Sequence, residues 1–116
     1  MKAVIWHNPA CGTSRNVLAA LREAGHEVEV VEYLKTPPDR KKLEQVLALM
    51  GKNVHDILRK RGTPFEELGL GEASDEQIFA AIAKHPILIE RPIVILGKRA
   101  ALCRPAEVIQ GLIAGA

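Results

Sequence analysis

The stretch His7-Asn-Pro-Ala-Cys11-Gly-Thr-Ser14-Arg-Asn16 places a thiol, an imidazole, two hydroxyls and a guanidinium close together in the chain. Cys11 is the residue with nucleophilic potential. An ordinary thiol titrates near ~8.5 and is only a few per cent thiolate at neutral pH; a helix N-terminus or a nearby cation lowers that value. A drop of about two pH units makes thiolate the main form. His7 and Arg15 are candidate cations, and Ser14 can donate its hydroxyl proton. Gly12 lets the backbone turn tightly around the sulfur. A lone cysteine is most often a small buried apolar residue. A core cysteine, however, does not need a Pro-Ala-Cys-Gly turn flanked by hydroxyls and an arginine. Ser14 stands where a Cys-x-x-Cys motif would have its second thiol, so dithiol exchange within the motif is excluded.

Three further arginines stand out by context. Arg91 directly precedes Pro92, Arg104 directly precedes Pro105, and Arg59 lies within Leu58-Arg-Lys-Arg61. Arginine carries a permanent charge and a planar fork of donors suited to a tetrahedral oxyanion. Convergence of Arg59, Arg91 and Arg104 on Cys11 would make a thiolate that faces a bound oxyanion. The plainer alternatives are a solvated helix face for Arg59 and surface pairs with Glu90 or Glu107 for the other two. Lys98 and Arg99 decorate a turn. His26, His55 and His85 have no metal-ligand spacing, so no metal is expected. Cys103 is either a packed strand-end thiol or a second redox partner; a disulfide would need Cα atoms within ~7 Å.

Such a site needs elements to hold it. Lys2–Trp6 reads as a buried strand, and Gly12 and Ser14 open a helix with Val17, Leu18, Leu21 and Ala24 on one face, closed by Gly25. Val28–Leu34 alternates as a second strand. Strand, helix and strand with short links imply a parallel pair joined by a right-handed crossover. Pro37-Pro38-Asp39 starts a helix with the stripe Leu43, Val46, Leu47 and Met50, stopped by Gly51. A shorter helix over Val54–Lys60 would carry Arg59. Thr63-Pro64-Phe65-Glu66 and Ser74-Asp-Glu-Gln77 both read as capping boxes. Pro92–Leu96, Gly97-Lys98 and Arg99–Leu102 read as a hairpin, and Pro105 opens a last helix with Val108, Ile109, Leu112 and Ile113 apolar. The sum is an α/β, thioredoxin-like plan: a four-stranded mixed sheet with a helical insertion between the second strand and the C-terminal hairpin. In that plan the proline before the third core strand, here Pro92, is cis and faces the reactive cysteine. The strand-to-helix turn at Cys11 is where open α/β sheets place their sites, against unpaired N–H groups of the helix.

The totals are those of an ordinary globular soluble protein. At 116 residues the chain has the size of one domain, read as residues 1–116. A net charge of +2 and an aromatic content of 3% argue against nucleic acid as a partner. No apolar run reaches the ~18–20 residues of a membrane span. The longest, Ile87–Leu96, is interrupted by Glu90, Arg91 and Pro92. The N-terminal residues lack signal-peptide features, so a cytoplasmic, reducing location is expected, with both cysteines as thiols.

His7–Asn16, Leu58-Arg59-Lys60, His85-Pro-Ile-Leu-Ile89, Arg91-Pro-Ile-Val94 and Leu102-Cys-Arg-Pro-Ala-Glu-Val108 together closely resemble the glutathione/glutaredoxin-dependent arsenate reductases. The likeness runs from the first strand to the last helix. It implies a role in arsenical resistance, with Cys11 as nucleophile, His7 and Ser14 as the groups that favour its thiolate, and Arg59, Arg91 and Arg104 as holders of arsenate. It further implies a covalent thiol–arsenic intermediate, glutathione as reducing co-substrate, glutaredoxin as protein partner and no bound cofactor. Two other classes stay open: a non-catalytic module that binds a transcription complex on the same fold, and a thiol-transfer enzyme acting on glutathionylated proteins. The first often carries Cys-x-x-Cys near the N-terminus, absent here.

Overall fold

A computed structural model describes residues 2–115. The chain divides into two compact units: one joins the residues through Thr36 to those from Arg91 onward, and the other is Pro37–Glu90.

The first unit is built on a four-stranded sheet. Strand β1 (Lys2–His7) leads through helix α1 (Gly12–Glu23) to β2 (Glu27–Glu32), and β3 (Ile93–Leu96) and β4 (Arg99–Leu102) precede helix α4 (Val108–Ala114). The order across the sheet is β2-β1-β3-β4. β1 pairs parallel with β2 and antiparallel with β3, and β3 pairs antiparallel with β4. This is the expected mixed thioredoxin-like sheet with its closing hairpin. β1 is central, and its side chains are buried on both faces: Ala3 and Ile5 on one, Trp6 on the other. Ala3, Ile5, Val94 and Leu96 meet Val17 and Leu21 of α1 and Ile109 and Leu112 of α4 in one apolar cluster. The 3.6-residue spacing of Val17 and Leu21 puts both on the inner face of α1.

The second unit holds the helical insertion. Helix α2 (Arg40–Met50) is capped by the Asp39 carboxylate, which accepts from the Lys42 N–H, and ends at Gly51 in the left-handed conformation, φ 66°. Leu43, Val46 and Leu47 are its buried stripe. Helix α3 (Asp75–Lys84) begins with the expected Ser74/Gln77 capping box and buries Ile78 and Ile82. It packs on two single 3₁₀ turns, Val54–Ile57 and Pro86–Leu88.

Several boundaries differ from the sequence expectation for identifiable reasons. The helix expected over Val54–Lys60 is only the turn Val54–Ile57. Beyond it the backbone turns extended and pairs with another segment: Arg59 N–H donates to the Leu88 carbonyl, and Glu90 N–H to that of Ile57, both at 2.7 Å. Arg59 therefore sits on an extended stretch and not on a helix. Thr63-Pro64-Phe65-Glu66 caps no helix. The Thr63 hydroxyl donates back to the Arg59 and Lys60 carbonyls, and the segment ends in the left-handed Gly69, φ 62°. β2 stops at Glu32, whose carbonyl accepts the turn N–H groups of Lys35 and Thr36. α4 starts at Val108 because Pro105–Glu107 form i→i+3 turns first, and Val108 itself is exposed. The peptide bonds Arg91–Pro92, as expected, and Arg104–Pro105 are cis.

Leu21, fully buried between α1 and the sheet, tests the packing. Leu21→Ala removes several methylene contacts from a close-packed core and should cost about 2–5 kcal/mol, measured as a lower urea midpoint.

Candidate active site

Register explains how distant residues reach Cys11. Trp6, next to last in β1, pairs with Ile93, the first residue of β3, and Ile93 pairs with Leu102, the last of β4. The exit of β1, the entry to β3 and the exit of β4 thus lie at one edge of the sheet. One step beyond, the Cys103 N–H donates to the Pro92 carbonyl at 2.9 Å, which keeps the two flanking segments together. Arg91 and Arg104 follow directly. The Arg104 guanidinium donates Nη1 to the Arg91 carbonyl at 3.1 Å and lies 3.7 Å from the Cys11 sulfur.

Cys11 is the N-cap residue of α1, with extended backbone (φ −96°, ψ 120°), and only 9% exposed. Burial pushes its thiol pKa up. The Ser14 backbone N–H, the Arg104 guanidinium and the charge and hydrogen bond of Arg91 outweigh that, so the thiol lies below the ordinary cysteine value. A sulfur anion at a helix N-terminus also meets the positive end of the helix dipole.

His7, Asn8 and Ser14 form a buried set beside the sulfur's turn. Ser14 Oγ lies 2.6 Å from His7 Nδ1 and accepts the Asn8 N–H at 3.1 Å. This differs in detail from the expected roles. Ser14 reaches the sulfur through its backbone N–H, while its hydroxyl is engaged by His7 and Asn8. Burial holds the His7 imidazole below its ordinary value, with Glu32 opposing and Arg22 and Arg15 assisting. The lowering favours the uncharged imidazole, and its Nδ1 is engaged with the Ser14 hydroxyl. Arg15 uses its guanidinium to close the turn, donating Nη1 to the Pro9 carbonyl at 2.8 Å.

Cys11, His7, Ser14, Arg91 and Arg104 are thus gathered in the first unit. Arg59 belongs to the second, where its Nε donates to the Arg61 carbonyl at 3.0 Å. Asn8 escaped the sequence reading, although Asn-Pro is a turn signal and asparagine commonly bonds its own backbone two residues on. Cys103 resolves toward the packed alternative: it is fully buried in the apolar cluster, burial pushes its thiol up to about 12, and both cysteines are free. Among the described residues, no cluster of three or more His, Cys, Asp or Glu is placed to hold a metal.

Alkylation of the native protein should therefore label Cys11 and spare Cys103, as read by mass spectrometry. Its pH midpoint should fall below the ordinary ~8.5 of cysteine, and Arg104→Ala should raise it. Linkage has a defined sign. A thiol pKa lowered by folding adds stability above the unfolded value and loses it as pH falls through the folded value. The stability gap between wild type and Cys11→Ser should therefore widen in favour of wild type as pH rises across that window, which thermal melts at a series of pH values would record.

The chain has relatives in sequence and a solved structure of similar fold. An arsenate reductase of Rhizobium meliloti (strain 1021) is 52% identical over 115 residues, spanning 97% of this chain and 82% of its own. An arsenate reductase of Escherichia coli (strain K12) is 49% identical over 107 residues, 90% of this chain and 76% of its own. The solved structure of an arsenate reductase from Vibrio cholerae superposes with a TM-score of 0.89 at 40% identity, over 96% of this chain and 97% of that one. The model of the ArsC family matches residues 6–112, from the end of β1 through most of α4. That match takes in the whole turn around Cys11 and both arginines at its sulfur, and by it the chain belongs to the ArsC family.

Proposed function

We propose that this protein is a cytoplasmic arsenate reductase that works through a covalent Cys11–arsenic adduct, with residues 1–116 acting as one catalytic domain. The observation that supports the reading best is the meeting of Arg104 and Arg91 at the Cys11 sulfur. Arsenate is anionic at neutral pH and would be repelled by a bare thiolate. Guanidinium groups placed at the sulfur neutralise the substrate and the charge that develops on its oxygens during attack. Arg59 is proposed as the third arginine that grips arsenate.

The thiolate attacks arsenic, and one arsenate oxygen leaves as hydroxide or water. The thiol of glutathione then bonds to the same arsenic and displaces a second oxygen as water. A glutaredoxin thiolate attacks the glutathione sulfur. The sulfur–arsenic bond breaks, its electron pair stays on arsenic, and the glutathione departs as a mixed disulfide with glutaredoxin. Arsenic is thereby reduced from the pentavalent to the trivalent state. Water releases arsenite and restores the Cys11 thiol. Splitting the reduction through a covalent intermediate replaces one difficult step by easier ones. With Cys103 buried and its thiol held protonated near pH 7, the second thiol comes from outside, which supports glutathione as co-substrate. The chemistry asks for no metal or bound cofactor. Among the described residues no helix is long and apolar enough to cross a membrane, in keeping with a cytoplasmic site of action.

Cys11→Ser should abolish arsenate-dependent oxidation of glutathione in an assay coupled through glutaredoxin. Arsenate, and not chloride, should protect wild-type Cys11 from alkylation. A wild-type protein without turnover at millimolar arsenate would overturn the assignment. Arg91→Ala and Arg104→Ala should each lower kcat/KM for arsenate by roughly 10²–10³, the usual loss when one donor to a developing oxyanion is removed.

A further inference from the structure

The backbone donors of the Cys11 turn can be counted one by one. Between His7 and the first turn of α1, Pro9 has no N–H, which leaves those of Asn8, Ala10, Cys11, Gly12, Thr13 and Ser14. Asn8 engages the first three. Its own N–H donates to Ser14 Oγ at 3.1 Å, its side-chain Oδ1 accepts the Ala10 N–H at 3.0 Å, and its carbonyl accepts the Cys11 N–H at 3.0 Å. The Ser14 N–H bonds the Cys11 sulfur. The Gly12 and Thr13 N–H groups lie in the first helical turn, where no carbonyl of their own helix can reach them. Asn8 is 9% exposed, and the Ser14 it holds is fully buried.

Two consequences follow from this wiring. The bonds at Ala10 and Cys11 occupy the loop's donors, so the N–H that meets the sulfur is a helix donor, that of Ser14. The Asn8 N–H also occupies a lone pair of Ser14 Oγ. The same hydroxyl shares a hydrogen bond with His7 Nδ1, 2.6 Å away. Among the described residues, the donors at the sulfur come from its own helix and from the segments before β3 and after β4: the Ser14 N–H, Arg91 and Arg104.

We propose that Asn8 is a positioning residue for the Cys11 reaction, its side-chain carbonyl holding the Ala10 N–H so that the turn presents the Gly12–Ser14 donors to the sulfur and to the oxyanion it attacks. The proposal deepens the reading of Cys11 as the nucleophile toward arsenate and rests on it. A purely local role, an asparagine that only stabilises an Asn-Pro turn, would affect melting and leave the sulfur's chemistry alone.

The test is the pH profile of Cys11 alkylation, measured without arsenate in wild type, Asn8→Ala and Asn8→Ser. Serine keeps a short side-chain acceptor at the same place in the turn. Asn8→Ala should raise the midpoint by about 0.5–1 pH unit, a roughly three- to tenfold lower thiolate fraction at a fixed pH below it. Asn8→Ser should restore most of the shift, and kcat for arsenate should follow the same order. An unchanged midpoint in folded Asn8→Ala, or Asn8→Ser as impaired as Asn8→Ala, would overturn the proposal. Amide exchange at Ala10 in the wild-type protein is the second measurement, independent of whether Asn8→Ala folds: a protected amide supports the turn, and exchange at the rate of an open peptide overturns it. Because alkylation uses no arsenate, a chain inactive on arsenate would still reveal whether Asn8 governs the thiol, and a normal thiol profile without turnover would count against the reductase reading alone.

Discussion

The arrangement around Cys11 turns on favouring negative charge on a mostly buried sulfur. Burial alone opposes that state, and it is the largest influence on the Cys11 thiol. The opposing groups each contribute less than burial does, and only together do they prevail: a backbone N–H three residues on, and two guanidinium groups from the far end of the chain. In a medium of lowered dielectric such donors act more strongly than they would in water. Partial burial therefore both raises the cost of the charge and strengthens what offsets it. Cys103 shows the other outcome in the same unit. It has the apolar surroundings without the donors, and its thiol is pushed up to about 12.

The sheet supplies the far-end donors. Because β3 runs antiparallel beside β1, its entry lies where β1 exits, and the hairpin brings the exit of β4 to the same edge. The residue just before β3's proline and the residue two beyond β4 are both arginines, so two charges separated in sequence become neighbours of one sulfur. A parallel β3 would send its entry to the opposite end. The β1-α1-β2 unit alone could present the thiol at a helix N-terminus but would leave it without either guanidinium. Packing of α1 and α4 on the same apolar cluster then holds both halves of the site to one core.

The turn pairs its own loop donors and leaves those of the first helical turn. Loops next to a reactive group can scatter unpaired N–H groups in many directions, and buried unpaired groups are costly. Here Asn8, Ser14, His7 and Arg15 take up the turn's local donors and acceptors. His7 contributes by receiving or giving one hydrogen bond at Ser14, a role open to a neutral imidazole. That explains how it can belong to the sulfur's surroundings with its own pKa lowered.

Local rules are enough to read much of the molecule from its residues. The caps at Asp39 and Ser74, the stop at Gly51, the hairpin around Gly97 and the thiol at a strand-to-helix turn all depend on a few consecutive side chains, and the structure has each of them. Arg91 and Arg104 also stand out by local context, a basic residue before a proline, though their convergence does not. What the tertiary structure decided are the features that depend on a partner far along the chain. The stretch after Ile57 looks helical by composition but becomes extended because Leu88 and Glu90 offer backbone partners. Ser14 looks like a hydroxyl donor to sulfur, but His7 at the end of β1 claims that hydroxyl and leaves the backbone N–H to reach the sulfur. Cys103 looks ambiguous until it proves to be fully buried in the apolar cluster. Sequence specifies which groups are available within a turn. Only the folded sheet determines which of them compete, because hydrogen-bond partners and local dielectric are set by what packs nearby and not by what is adjacent in the chain.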